Sequence, residues 1–549
     1  MSKMSKAVAK MREENTLRRN EVVENFMGGD SYVVNPLDTL KMVTASSIFG
    51  EPAYYRNSRN AKSGLYKIHE LVSGIIIPES FDGKTTEDVM EAVIDAALDY
   101  DFGGTLKWAT TLRNEFYMRL NPQVIMVRAA MHPKRKEWTE ANPGLFAQYN
   151  NLVMRRADEP LSQMAYYLYS NNGKKNNIPS IIKRSWADNL SKLNRYKVAK
   201  YKNHEIGMIN GVRLCHANST VLNELMTTGT VEVEDDTKTW ENLRSEGKSW
   251  QEIFETIEIS HMALLRNIRG VFSEVNDREF FHKYMDKLKA GVIDGKQFPF
   301  RYYTARKMIE RSDVNFKALI LDTLNECMEI SIENFPKLKG KTMCLSDNSG
   351  SAWGIFNSEY GSVTVAEIDN LSSVITARCS DEGYVGKFGD RLKVFPVSKR
   401  DTILTQANEI SRNSGSDVGT ATEGGIWKFF RDAIANKEHW DNIFIYSDQQ
   451  AGHGGLYGTT ADMAEYSEEY GYSHGYFNYV NVYKLILEYR RKVNPKVNVF
   501  SIQTAGYDNV VIPELAERCA IMYGWTGKEA QFAQEYIKLW DDVDTRKSI

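Results

Sequence analysis

The residues best suited to chemistry stand in one short run, Asp347-Asn348-Ser349-Gly350-Ser351, directly after the apolar segment TMCLS. A carboxylate followed by hydroxyls at alternate positions gathers three oxygens on one turn. A second apolar segment, NIFIYS, ends in Asp448, and between the two the run SGSDVGTATEGG offers Thr420, with Thr422 as a substitute. Asp347, Ser349, Ser351, Thr420 and Asp448 make an oxygen-only set, which suits a hard divalent cation, with Mg²⁺ the expected ion and Ca²⁺ the alternative. Neutral hydroxyls leave such a cation under-neutralised, so it can accept one more oxygen from a partner's carboxylate. The plainer reading is a polar loop that caps the next helix through Ser349 or Ser351. A dehalogenase-type phosphatase would need an acid two residues past Asp347, where the chain has Ser349.

A second chemistry is carried by charge. Residues 174–202 contain nine Lys and Arg against the single acid Asp188, interleaved with Trp186, Tyr196 and Tyr201. An earlier stretch, 107–136, sets Lys107, Arg113, Arg119, Arg128, Lys134, Arg135 and Lys136 against Glu115 and no other acid. Cations neutralise phosphates and aromatic faces stack on unpaired bases, so these stretches fit an anionic, nucleic-acid partner. Residue by residue, a solvated helix face with core aromatics is the better explanation; for the nine-to-one stretch taken whole, an anionic partner is. No HExxH, Walker A or clustered His/Cys motif is present, so the chain is not expected to be an enzyme. A Mg²⁺-dependent nuclease stays open as a third possibility.

Two kinds of element must position these residues. Up to about 335, apolar residues recur at helical spacing. In TTEDVMEAVIDAALDY the stripe reads Val89, Val93, Ala96, Ala97 and Tyr100, with Thr85 and Asp88 resembling a capping box. Helix after helix without strands predicts a bundle or a solenoid of helix pairs. After Pro336, short strands (KTMCLSD, RLKVFPVS, NIFIYSD, KVNVFSIQT) alternate with helices, which predicts a mostly parallel sheet covered on both faces. The expected division is a 1–36 extension, an all-α module at 37–335 and an α/β module at 340–549. The charge changes with it: residues 1–339 carry 48 Lys+Arg against 44 Asp+Glu, and the remainder 21 against 28. The two modules are therefore expected to meet different partners. Five cysteines without a CxxC pair read as free thiols, so the cytoplasm is the expected compartment. No apolar run reaches the roughly 20 residues of a membrane span, and no secretory signal stands at the start.

The order of several stretches is familiar. LKMVTASSIFGEPAYYR, RADEPLSQMAYYLYSNNGKKNNIPSIIKRSWADNLSKLNRYKVAKYKN, VRLCHANS, ISHMALLRNIRG and FPFRYYTARKMI resemble the TROVE module of Ro proteins, the bacterial-type branch most closely. The C-terminal part resembles a von Willebrand factor A domain with a metal-ion-dependent adhesion site. Together these likenesses cover about residues 37 to 540. They imply a ring of HEAT-like helix pairs closed by the A-type domain. They also imply Y RNA-like small non-coding RNA on an outer basic surface, and single-stranded 3′ ends of misfolded RNA in the central hole. The implied RNA contacts are Lys183, Arg184, Arg195, Lys197, Lys200 and Lys202, with an R-x-x-H element matched by Arg213 and His216. A monomer with an RNA quality-control role and a protein partner such as an exoribonuclease is the expectation. The chain departs from animal Ro proteins in having Ala421 after Thr420 and Ser447 before Asp448, and neither change removes an expected ligand.

Overall fold

The structure is a computed structural model. It describes residues 22–24, 30–33, 35–46, 86–116, 118–204, 206–233, 239–295, 297–353, 355–358, 361–419, 424–447, 471–474, 477–504, 509–512 and 518–523, with 529–530, 532–534, 536–538 and 541 near the C-terminus. Among the described residues, regular structure from 36 to 331 is all helical, and the change to strand comes at Leu338–Asp347, where the sequence pattern places it. Packing divides the chain elsewhere. One compact unit takes in the described residues between 36 and 259; the other takes in the described residues from 22 to 35 and everything described from Ser260 onward. The helices from His261–Glu274 to Lys317–Ser331 thus belong with the sheet. Glu329 and Glu367 help to hold them there. Glu329 accepts from the Ile403 backbone N–H at 2.6 Å and from Arg378 Nη2 at 3.0 Å. Glu367 pairs with Lys307.

In the helical unit, helix Thr86–Tyr100 corrects one sequence expectation. Its packed side is Met90, Ile94, Ala97 and Leu98, whereas Ala96 and Tyr100 lie at the surface. The helix has apolar residues on two sides, and the side with the larger side chains is buried because it removes more apolar area from water. Neighbouring helices are joined by a buried amide network. Gln163 Nε2 donates to Gln123 Oε1 at 2.7 Å and to Asn150 Oδ1 at 2.8 Å, while Trp186 Nε1 donates to Gln163 Oε1 at 2.8 Å.

In the second unit six strands form the main sheet: β1 (Leu338–Asp347), β2 (Ser380–Phe388), β3 (Leu392–Pro396), β4 (Asn442–Ser447), β5 (Asn498–Gln503) and β6 (Cys519–Tyr523). Their order is β6-β5-β4-β1-β2-β3, parallel except for the antiparallel β2/β3 edge. Period-2 alternation sends Met343, Leu345, Ile443, Ile445 and Val499 into one core with Trp427, Phe430, Leu485 and Tyr489 of two helices. The opposite face meets helix Val365–Arg378, where Thr376 Oγ1 and Tyr446 Oη lie 2.7 Å apart. Strand β2 escapes the sequence pattern because SDEGYVGKF carries charges and two glycines. Gly383 is required there: a Cβ would stand 2.1 Å from the Ala377 carbonyl oxygen.

A hairpin of Val22–Glu24 and Asp30–Val33 adds its second strand to Asn509–Val510, which lies just beyond β5. All five cysteines are buried and free. No helix among the described residues is long and apolar enough to cross a membrane.

Candidate metal centre and nucleic-acid interface

The strand order reverses between β1 and β4. Ligands of open α/β sheets bind outside the carboxyl ends at such a point. Asp347 ends β1 there, fully buried; its Oδ1 accepts the Ser349 backbone N–H at 2.8 Å and its Oδ2 accepts the Ser447 hydroxyl at 3.0 Å. The second bond crosses from β4 to β1, so the carboxylate is fixed from both strands of the reversal. Ser349 Oγ lies 3.1 Å from Ser351 Oγ, and Ser351 is exposed, so the set opens to solvent on that side. Thr420, its alternative Thr422 and Asp448 lie outside the described residues. Among the described residues no three His, Cys, Asp or Glu side chains cluster. Asp347, Ser349 and Ser351 fit a hard, oxygen-seeking cation, which would gain charge from one carboxylate and neutral oxygens from the hydroxyls.

Asn348, silent in the sequence motif, is the residue that fastens this turn. Its Nδ2 donates to the Ser346 carbonyl at 3.2 Å and to Asn370 Oδ1 at 2.8 Å. Its Oδ1 accepts from Asn370 Nδ2 and from Ser414 Oγ, each at 3.0 Å. Asn370 Nδ2 reaches on to Ser411 Oγ at 2.9 Å. The turn is thereby tied to three helices, Val365–Arg378, Ile403–Ser411 and Ser414–Val418. The last of these leads to Gly419, whose φ of 81° and ψ of 179° lie in a region essentially reserved for glycine. Lys387 braces the same helix from β2, donating to the Arg412 carbonyl at 2.8 Å and to Asp417 at 3.1 Å. Burial pulls its ammonium below the usual lysine range, and Asp417 opposes that shift. Next to this layer, Thr504 beyond β5 donates to the buried Asp369 at 3.3 Å.

In the helical unit the expected RNA contacts fall on three helices, Ser180–Ser191, Arg195–Lys200 and Met208–Cys215, with Lys202 and His216 just past the ends of the second and third. Their inner faces explain their placement. Ile182, Trp186 and Leu190 bury from the first, Val198 from the second, and Met208, Val212 and Cys215 from the third. Gly211 lets the third approach helix Glu159–Ser170, since a Cβ would meet Leu161 at 2.5 Å. The outer faces carry Arg184, Lys197 and Arg213 exposed, with Lys183 and Lys202 half-buried; among the described residues no ion pair engages these five. Arg195 and Lys200 differ, being paired with Glu224 and Glu241. His216 caps the third helix in the left-handed region (φ 60°, ψ 38°), a position that glycine or asparagine normally takes. Its side chain is exposed. Beneath it, burial pushes the Cys215 thiol up to about 11, which leaves it inert as a nucleophile.

Two expectations are corrected. Trp186 is fully buried and hydrogen-bonded to Gln163, so it offers no face to a base; of the three aromatics in that stretch only Tyr196 and Tyr201 reach the surface, in part. The earlier basic stretch is largely neutralised from within. Arg113 meets Glu159 at 2.8 Å with both side chains buried, Arg119 meets Asp158 at 2.6 Å, Arg128 meets Glu91 at 2.8 Å and also Asp95, and Lys134 meets Asp99 at 3.3 Å. Those acids lie outside the stretch itself, so counting charges along 107–136 misses them.

No protein-family model matches this chain, and no curated protein matches it in sequence. A solved structure does match. The Ro (RSR) protein of Deinococcus radiodurans aligns with 81% of this chain and 93% of its own, with a TM-score of 0.54 and 12% sequence identity. At that identity the likeness is one of fold, and this chain is mostly helical with a C-terminal mixed sheet.

Proposed function

We propose, from the premise of a Ro-type fold, that this chain is an RNA-binding ribonucleoprotein component of the TROVE kind. It holds a small structured RNA of the Y type against the outer cations of residues 183–216. In this reading the helix pairs form a ring whose hole takes the single-stranded end of a misfolded RNA, because a duplex is too wide for it. The role is that of a scaffold in RNA quality control, without catalysis. The observation that carries the proposal is the group Lys183, Arg184, Lys197, Lys202 and Arg213, which no ion pair engages among the described residues, beside His216 at its left-handed cap. The test is RNA affinity across a salt series, comparing a duplex with the same duplex bearing a 3′ tail. Tight, salt-sensitive binding that favours the tail supports the reading; weak, salt-insensitive binding to both defeats it. Labelled RNA incubated with Mg²⁺ should stay intact, and cleavage would replace the scaffold role with a nuclease.

A second role is supported by the buried Asp347, held by Ser349 and Ser447 at the reversal of the sheet. The α/β unit would be a von Willebrand-type domain in which Asp347, Ser349 and Ser351, with Thr420 and Asp448, hold a divalent cation. When bound, that cation supplies positive charge for a partner's carboxylate. Mg²⁺ should raise the melting temperature of the wild-type chain and not that of Asp347→Ala, while RNA affinity stays the same in both. An equal shift in both proteins would place the metal elsewhere.

A further inference from the structure

Two of the cations on the basic face are already occupied by the chain's own acids. Arg195 forms a fork with Glu224, Nη1 to Oε1 at 2.8 Å and Nη2 to Oε2 at 2.6 Å, and Nη1 also reaches the Glu232 carbonyl at 3.5 Å. Lys200 Nζ stands 3.4 Å from Glu241 Oε2. The second acid is itself held in place: Thr239 Oγ1 donates to Glu241 Oε2 at 2.8 Å and sits 3.0 Å from Tyr196 Oη. Both pairs lie on the six-residue helix Arg195–Lys200, either side of the exposed Lys197. Each pair is at least a quarter exposed, so neither contributes much to folding. Their effect falls on the surface potential. They cancel two positive charges in the middle of a face whose other cations stay open.

We infer that Glu224 and Glu241 set the affinity of this face and select its ligands by charge density. This rests on the RNA-binding reading above. A ligand with a single anionic group gains too little to separate Arg195 from a two-point carboxylate. A nucleic-acid backbone, docked first on Lys183, Arg184, Lys197, Lys202 and Arg213, brings further phosphates close enough to exchange with both carboxylates. The acids released then regain water at the surface. Arg195 and Lys200 thus act as conditional contacts, and part of the binding energy goes into exchanging one anion for another.

The experiment uses the full chain and the tailed duplex RNA, with Glu224→Gln, Glu241→Gln, the double variant, and Glu140→Gln as a control that removes one exposed acid from another helix. Glutamine keeps the shape and one acceptor oxygen, so the local fold is retained. The double variant should bind about tenfold more tightly at moderate salt with its log–log salt slope unchanged, because the wild-type chain makes the same two phosphate contacts once its acids are exchanged. A slope steeper by roughly 1.4 to 1.8 would mean that the wild-type acids are never exchanged and would overturn the inference. Adding Arg195→Gln to Glu224→Gln should return affinity towards the wild-type value, and Glu140→Gln should leave it unchanged. If the wild-type chain binds and the double variant matches it in affinity, the inference fails and the RNA reading stands. If no form binds, the RNA reading fails and takes the inference with it. Equal tightening by Glu140→Gln would reduce the effect to net charge and also overturn the inference.

Discussion

The two basic stretches of the helical unit are nearly alike in composition and opposite in use. In 107–136 four of the seven cations are matched by acids from other segments: Glu91, Asp95 and Asp99 from one helix, Asp158 and Glu159 from the start of another. These pairs fasten helices together. In 174–216, eight of the ten cations have no matching acid among the described residues, and the other two are held by acids that solvent can reach. A run of positive charge therefore has no fixed meaning. What decides it is whether the fold brings carboxylates to it, and how deeply the pairs are buried.

The sharpest way to break that contrast is to cut the buried pair. Arg113→Ala strands Glu159, which also accepts the backbone N–H groups of Arg155 and Arg156 at 2.7 and 2.8 Å. The expected loss is about 3–5 kcal/mol in urea unfolding, with RNA affinity of the folded fraction unchanged. A loss below 1 kcal/mol would mean the first stretch is not a fastening. The converse change, Lys197→Glu with Lys202→Glu, should weaken RNA binding on the order of 100-fold and flatten its salt slope, with unfolding shifted by no more than about 0.5 kcal/mol. Destabilisation comparable to that of Arg113→Ala would erase the distinction.

Smaller effects refine it. His216→Gly relieves the left-handed cap, so stability should rise by about 1 kcal/mol while RNA affinity drops several-fold; a gain in both would deny the side chain a role. The smallest effect concerns pH. Burial works against ionisation of Asp158, yet Arg119 and Arg156 hold its carboxyl below the usual range. Its contribution to stability is then complete above about pH 4, the ordinary aspartate range, and disappears as pH falls through the lowered value. Asp158→Asn should cost stability at neutral pH and reduce the slope of the acid limb of an unfolding-versus-pH curve. An unchanged slope would remove Asp158 from the fastening.

Much of this was readable from residue order. The switch from helix to strand near 335, the four regularly patterned strands and the position of Asp347 at a strand end all follow from local periodicity. What stayed hidden depends on residues far apart in the chain. Asn348 gains its role only when Asn370, Ser411 and Ser414 arrive from three helices. Trp186 reads as a surface aromatic among lysines, yet helical period turns it towards Gln163. Strand β2 is masked by its own charges, because Lys387 is buried against Asp417 instead of pointing into solvent. Local pattern reports which face is apolar; it does not report which polar residue finds a partner.

The pairing of Tyr32 and Val33 with Val510 and Asn509 sets an order of events for the molecule's own making. The first of these strands leaves the ribosome long before its partner exists, and the entire helical unit is translated in between. That unit can fold while synthesis continues, since its contacts lie within 36–259. The sheet unit cannot complete this strand pairing until Asn509 and Val510 emerge. Contacts that close so long a loop are slow to form, so the early hairpin must wait as an open edge, the point at which a nascent chain needs protection from wrong partners.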